Sequence, residues 1–359
     1  MINVLHVITT IEKGGAENQL LILVEAQIQK GMQVIVLPLK GQDELSSKFE
    51  QVGAFVDLSF MNKLFINQIV LFRLKYGRYN GIIHAHLPKS ELLVAFAAKY
   101  NRTVFSRHNA EQFFSKAPAI FSRMLSKLVS NKLRNGIAIS NAVLNFCMQN
   151  SEISSKATMK VVSYGFPFEK YRNLRHHSDE YDFGTVARLV PQKDIETLLD
   201  AFALLTEKSD NLKLVVIGDG EQQKKLFDYA EKLKLNKSIN WAGRQENIVQ
   251  RISEMKIFVL TSIYEGLGLV LLEAIAANTP ILAANNTAIP EVLGINYPGL
   301  FETGDAKELA VLMEKSMQSD FTALLISEYE SRRKLFTVDK MIDEIVLVYK
   351  SAFASGGTK

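Results

Sequence analysis

Two glutamates flank the stretch richest in potential chemistry, Tyr264-Glu265-Gly266-Leu267-Gly268-Leu269-Val270-Leu271-Leu272-Glu273-Ala274. An apolar run over 257–262 enters a glycine-bearing turn and leaves as an apolar helix. Backbone amides at the start of such a helix face outward and carry partial positive charge. Gly266, Leu267 and Gly268 therefore suit a phosphate or a sugar hydroxyl. Glu265 lies in the turn and Glu273 about two helical turns beyond it, so the pair can accept hydrogen bonds from two separate sugar rings. The bare spacing equally describes a solvated glutamate and a helix-face glutamate; the strand–turn–helix context favours the binding reading.

A second group is Val186-Ala187-Arg188-Leu189-Val190-Pro191-Gln192-Lys193-Asp194. It follows a strand-type run, so Arg188 and Lys193 project from a loop at a carboxyl edge. Two fixed cations there would neutralise a leaving diphosphate without a metal, although two ordinary surface cations fit the same residues. Asp194 is placed to cap the next helix. Gly14-Gly15-Ala16-Glu17, after the first strand, makes a tight turn and a helix start that could approach an anion or a sugar. Gly218-Asp219-Gly220-Glu221 is another strand-end turn, able to line a nucleotide or to act as a plain connection. Arg244 follows the next strand and joins the donor-binding candidates.

The six histidines, His6, His84, His86, His108, His176 and His177, show no helical metal pair and have no cysteine nearby. His84 and His86 share one strand face, and His108 ends a strand in Ser106-Arg107-His108-Asn109. No metal is expected. The chain has no Gly-x-Gly-x-x-Gly after its first strand, no P-loop, no Gly-x-Ser-x-Gly elbow and no Asp-x-Asp. These gaps argue against dinucleotide, NTPase, serine-hydrolase and Asp-x-Asp metal chemistry.

The elements that must position these residues alternate. Short apolar runs at 2–8, 34–39, 82–86, 103–107, 136–140 and 160–164 read as strands, with a helix over 16–30. The pattern restarts with strands at 182–187, 212–217, 239–242, 257–261 and 280–284, and helices at 195–206 and 221–235. Continuous apolar runs separated by helices indicate parallel sheets covered on both faces. We expect an α/β chain of two Rossmann-like doubly wound domains facing a cleft: residues 1–168, a polar linker 169–181, and residues 182–339. Helices are expected at 306–319 and 340–352, the last able to pack back on the first domain, with 355–359 a frayed tail.

The length, 359 residues, accommodates two such domains, and 47% hydrophobic with 22% charged residues excludes disordered and disulfide-scaffold classes. The single cysteine, Cys147, suits a reducing cytoplasm. No apolar run reaches the length of a membrane span, and the N-terminus has no basic signal region.

Taken together, the motifs resemble the family 4 glycosyltransferases, retaining enzymes of the GT-B fold. The resemblance rests on GGAE at 14–17, SRHN at 106–109, AISNAV at 138–143, VARLVPQKD at 186–194, VIGDGE at 216–221 and EGLGLVLLEA at 265–274. It implies that Arg188 and Lys193 bind the donor diphosphate, Glu273 the donor ribose and Glu265 the transferred sugar. It places Gly15 at the donor–acceptor junction and His108 near the donor sugar. Leu267 stands where phenylalanine is common, and Asp194 where glycine is common. The implied reaction is metal-independent: the sugar–phosphate bond breaks with oxocarbenium character, and the acceptor attacks from the same face with the leaving phosphate as base. No cofactor is needed beyond the nucleotide-sugar co-substrate, UDP-sugar before GDP-sugar.

The net charge of +4 conceals an asymmetry. Between Phe60 and Gly136, thirteen Lys and Arg face only Glu91 and Glu111, leaving that stretch at +11 and the remainder at −7. Residues 61–79 and 118–134 interleave the cations with Phe, Leu, Ile and Met, as a membrane-surface element does. We therefore expect stretch 60–136 to meet an anionic membrane on its cytoplasmic face and the acceptor to be a lipid-linked glycan. A solvated basic face over core helices, a soluble transferase acting on a small or storage sugar, and a non-catalytic sugar-nucleotide-binding subunit are the alternatives. Nucleic acid is not expected, since no binding motif for it accompanies the charge.

Overall fold

The computed structural model describes residues 2–98, 102–174, 180–209 and 211–355. The chain divides into two compact units, Met1–Gly165 with Phe336–Lys359, and Phe166–Leu335. Each is a Rossmann-like parallel sheet with helices on both faces.

In the first unit, β1 (Asn3–Ile8), β2 (Gln33–Pro38), β3 (Phe55–Val56), β4 (Ile82–His86), β5 (Thr103–Arg107), β6 (Asn135–Ala138) and β7 (Thr158–Val161) pair in the order β3-β2-β1-β4-β5-β6-β7. In the second, β8 (Tyr181–Val186), β9 (Leu214–Ile217), β10 (Ile239–Gly243), β11 (Met255–Leu260), β12 (Ile281–Ala284) and β13 (Leu300–Phe301) pair in the order β10-β9-β8-β11-β12-β13. The strand order reverses at β1/β4 in one unit and at β8/β11 in the other. Doubly wound sheets bind ligands beyond the carboxyl ends of their strands at such points, because the flanking loops diverge there.

Strands β4 and β5 are buried at every position, as expected for a sheet packed on both faces. One face carries a core of Val4, Ile8, Leu23, Val36, Ile342 and Tyr349; the other carries Leu5, Val7, Phe60, Phe72, Leu93 and Val129. The final helix, Val338–Ser355, packs on the first helix, Gly15–Gln29. Gln27 Nε2 donates to Tyr349 OH at 3.1 Å, and Lys30 Nζ meets Asp343 Oδ1 at 2.8 Å.

Several boundaries differ from the sequence reading. The first unit ends at Gly165, not 168, because Gly165 lies against the start of the last helix: a Cβ there would sit 2.6 Å from Val338 Cα. The expected linker is structured at its start, where the 3₁₀ turn Phe168–Tyr171 contacts the helix Leu269–Ala277. Its residues 175–179, with His176 and His177, lie outside the described residues, as do 356–359 of the expected tail. Strand β7 stops at Val161, which releases Tyr164 to a hydrogen bond described below. The helix expected over 306–319 is two, Ala306–Ser316 and Ser319–Ile326.

Candidate functional site

In the second unit the site residues come from loops leaving adjacent strands. Arg188 follows β8 and is exposed. Its loop is held by backbone bonds on both sides: Ala187 N–H donates to Ile217 O (2.9 Å), Leu189 N–H to Asp219 O (2.7 Å) and Gln222 N–H to Leu189 O (2.9 Å). This contact explains the glycines of the 218–221 turn. A Cβ on Gly218 would lie 1.9 Å from Ala187 O, and one on Gly220 2.4 Å from Leu189 O. Gly218 also has φ +134°, a backbone that L side chains rarely adopt. Gly218 N–H donates to Gly243 O at 2.8 Å, bringing the exposed Arg244 to the same edge. The helix there starts at Gln223, not Glu221.

Lys193 ends a 3₁₀ turn, Pro191–Lys193, stapled to the loop after β11. Ile263 N–H donates to Gln192 O at 2.8 Å, Gln192 Nε2 to Tyr264 O at 2.8 Å, and Thr261 Oγ1 to Lys193 O at 2.9 Å. The following residue, Asp194, is left-handed (φ 45°, ψ 49°), the conformation glycine adopts most cheaply. Asp194 occupies the N-cap position but makes no side-chain bond to a backbone amide; its carboxylate accepts from Thr197 Oγ1 at 2.7 Å. The expected cap is therefore a side-chain bond instead.

Lys193 and Glu265, assigned to phosphate and to sugar, are an ion pair here: Lys193 Nζ lies 2.6 Å from Glu265 Oε1. Glu265 Oε1 also accepts from Ser262 Oγ at 2.7 Å, and the Glu265 amide donates to Thr287 Oγ1 at 2.8 Å. Ser262 and Thr287 were not singled out from sequence, where Ser-x-x-Glu was the available signal. Gly266, Leu267 and Gly268 are buried, and Gly268, at φ +83°, is the N-cap of the helix Leu269–Ala277. Leu267 is 2% exposed, so its side chain belongs to the core and leaves its backbone to the site. Glu273 is half-buried and has no hydrogen-bond or ion-pair partner among the described residues. Burial alone pushes its carboxyl up to about 7.

In the first unit, the carboxyl ends of β1, β4 and β5 carry Gly15, His86 and His108. Gly15 opens the first helix and is exposed. The neighbouring Gly14 makes room for Glu17: a Cβ on Gly14 would lie 2.3 Å from Glu17 Oε2, and Glu17 Oε1 accepts from Thr10 Oγ1. His108 is half-buried, and burial, then the adjacent Arg107 charge, hold it down to about 4. Both its ring nitrogens are bonded, Nδ1 to Tyr164 OH and Nε2 to His86 Nδ1 at 3.3 Å.

The parallel register sets His6 opposite His84 and Ile8 opposite His86, bringing buried His6 to the two histidines that their spacing had already placed on one strand face. Their nitrogens lie within 4.8 Å of one another, close enough to hold a metal ion. Each nitrogen already has a protein partner, however. His6 Nδ1 and His86 Nε2 stand 2.8 Å apart, His6 Nε2 meets Gln27 Oε1 at 2.8 Å, and His84 lies 2.8 Å from Tyr349 OH and 2.7 Å from Ser106 Oγ. A metal would have to break these bonds, so the trio fits a network of neutral rings better. Beside it His84, His86, Ser106, His108 and Tyr164 line a cavity of about 30 Å³, room for water and not for a sugar.

Two doubly wound units, a cation loop beside a glycine–glutamate turn, and a histidine at a strand end define a GT-B glycosyltransferase. Residues 13–165 match the description "Glycosyltransferase Family 4", and residues 168–334 match "Glycosyl transferases group 1". The chain belongs to the family 4 glycosyltransferases. It is 26% identical over 302 residues to the putative glycosyltransferase EpsD of Bacillus subtilis, covering 77% of this chain and 78% of that protein. It is 29% identical over 210 residues to a glycosyltransferase of Methanocaldococcus jannaschii, covering 50% of this chain and 51% of that one. The chain thus spans about half the length of one of these relatives and over three quarters of the other. Among solved structures, HepE of Anabaena with UDP and glucose superposes at a TM-score of 0.82 with 18% identity, over 98% of this chain and 100% of that one.

Proposed function

We propose that the protein is a retaining glycosyltransferase that moves a hexose or N-acetylhexosamine from a UDP-sugar to a lipid-linked saccharide during cell-surface polysaccharide synthesis. The observation that carries this reading is Glu273: a half-buried carboxylate without a protein partner, one helical turn into a helix whose start is glycine-rich. Its desolvation is offset when two vicinal ribose hydroxyls donate to it. Arg188 and Lys193 meet the charge that grows on the leaving diphosphate, so the transfer needs no metal. Glu265 exchanges its Lys193 contact for the transferred sugar, and His108 is a further sugar-contacting residue. Relatives support the pathway: one from Staphylococcus aureus is a poly(ribitol-phosphate) alpha-N-acetylglucosaminyltransferase, and one from Escherichia coli a serotype-specific mannosyltransferase.

The acceptor assignment rests on the first unit's surface. Among the described residues no helix is long and apolar enough to cross a membrane. The helices Phe65–Lys75 and Ala119–Leu133 both pack on Pro88–Ala97 and expose large apolar side chains beside their cations, with Leu74 79% and Ile120 73% exposed. Arg107 is buried between Glu91 (3.1 Å) and Glu152 (3.6 Å), and Lys75 Nζ lies 2.8 Å from the Asp57 carboxylate, so the charge this face presents is smaller than the +11 of the stretch. This face docks on the anionic cytoplasmic leaflet, at about 1 kcal/mol per basic residue.

A thermal-shift panel of UDP- and GDP-sugars tests the donor. Stabilisation by a UDP-sugar that is lost in Glu273→Ala is expected; no shift with any nucleotide sugar overturns the reading. Retention of anomeric configuration in the product and full turnover in EDTA test the mechanism. Sedimentation with anionic vesicles at low salt tests the docking, and its absence removes the membrane assignment.

A further inference from the structure

The histidine network in the first unit has a direction. A neutral imidazole donates from one nitrogen and accepts at the other. Burial holds His6 and His108 down to about 4, and His84 and His86 well below the ordinary value, so all four rings are neutral at pH 7. Gln27 turns its carbonyl Oε1 to His6 Nε2 (2.8 Å) and donates from its Nε2 to Tyr349 OH (3.1 Å). A carbonyl only accepts, so His6 carries its hydrogen on Nε2 and accepts at Nδ1.

Along the branch through His86 every later step is then forced. His86 Nε2–H donates to His6 Nδ1 at 2.8 Å, and His108 Nε2–H donates to His86 Nδ1 at 3.3 Å. The Tyr164 hydroxyl, kept protonated by burial, donates to His108 Nδ1. On the other branch Tyr349 OH accepts from Gln27 and lies 2.8 Å from His84 Nδ1, whose Nε2 lies 2.7 Å from Ser106 Oγ. The orientation of one amide thus sets the tautomers of His6, His86 and His108; turning it over would reverse all three.

The His108–His86 contact is the longest of the chain, and His108 is the one half-exposed ring in it. It is therefore the bond a ligand can replace most easily. We propose that Gln27, His6 and His86 are positioning residues whose one-directional chain holds His108 as the Nε2–H tautomer, so that it meets a sugar hydroxyl as a neutral hydrogen-bond donor. This rests on the reading that His108 contacts the transferred sugar.

Nitrogen-15 spectra of histidine-labelled full-length protein read each ring's tautomer without any assay of activity. The expected result is His6, His86 and His108 all neutral and protonated on Nε2 at pH 7; His108 seen as Nδ1–H or as imidazolium overturns the proposal. His86→Asn keeps an acceptor near the Nδ1 position, and His86→Leu does not. His86→Leu should mix the His108 tautomers and lower kcat about tenfold, the value of one hydrogen bond, with donor KM within twofold; His86→Asn should keep both tautomer and kcat. Mixed tautomers with unchanged kcat in His86→Leu overturn the positioning role. Full turnover in His108→Ala, beside an Nε2–H signal for His108 in the parent, overturns the sugar contact itself and leaves the tautomer assignment standing.

Discussion

Removing Arg188 and removing Lys193 should cost the same catalysis and very different amounts of stability. The Arg188 side chain is exposed and has no hydrogen-bond or ion-pair partner among the described residues, so Arg188→Ala takes away a cation and little else. Its melting temperature should stay within about 1 °C of the parent, while transfer falls about 10²–10³-fold, the effect of one charge-stabilising donor. Lys193 Nζ lies 2.6 Å from Glu265, and the two side chains are 14% and 9% exposed. Lys193→Ala leaves that carboxylate with the Ser262 hydroxyl at 2.7 Å. Breaking a fully buried pair costs about 3–5 kcal/mol; residual exposure and the serine bond reduce this to about 2 kcal/mol. In a unit of this size that is about 4–8 °C in melting temperature. Adding Glu265→Gln to Lys193→Ala removes the stranded charge, so the double variant should recover stability without recovering transfer. Calorimetry and sugar-transfer rates on the four proteins decide it. An unchanged melting temperature in Lys193→Ala would falsify the pairing, and full transfer in Arg188→Ala would remove the phosphate role.

Gly218→Ala should lose more than about 3 kcal/mol, because its Cβ meets Ala187 O at 1.9 Å, whereas Gly243→Ala, with nothing within 4 Å, should lose about 1 kcal/mol; denaturant melts separate the two. The Glu273 carboxyl, ordinarily near 4.5 and raised to about 7 by burial, binds more protons folded than unfolded between those values. Folding stability therefore falls as pH rises through that window, and Glu273→Gln should be more stable than the parent by about 1–3 kcal/mol at pH 8, with the gap closing toward pH 4.5; a gap independent of pH sinks the assignment. Asp194→Ala keeps the left-handed strain and loses the Thr197 bond, so it should cost about 1 kcal/mol. Asp194→Asn, which retains an acceptor and tolerates that backbone, should melt with the parent; equal losses in both would show that neither the bond nor the φ value matters.

Much of this organisation was legible because it is local. The short strand-type segments Ile82–His86 and Thr103–Arg107 coincide with β4 and β5, and the helix Ile195–Thr206 has the bounds its periodicity predicts. The two-residue strands β3 and β13 were not legible, since two residues carry no period. Nor was the Lys193–Glu265 pair: both residues were chosen from motifs 72 positions apart, but only the bonds of Gln192 and Thr261 to the facing loop bring them within reach. The histidine network was hidden for the same reason. His6 and His84 lie on separate strands and His108 just past a third, and which heights coincide depends on the register of β1, β4 and β5.

The Val216–Glu221 and Val186–Asp194 motifs, read separately, offered a nucleotide-lining turn and a pair of cations. Their atoms tie them into one structure. Gly218 and Gly220 lack side chains because the carbonyls of Ala187 and Leu189 occupy the space, and the carbonyl of Leu189 in turn accepts from Gln222 at the entrance to the next helix. The glycines therefore fix the path of the loop that presents Arg188, whatever else their backbone contacts. The same reasoning covers Lys193, whose carbonyl and neighbours are bonded to the loop after β11. Backbone bonds to neighbouring strands thus fix where both cations leave their loop. Under the proposed role in diphosphate binding, a loop held in advance need not reorganise as charge grows on the leaving group.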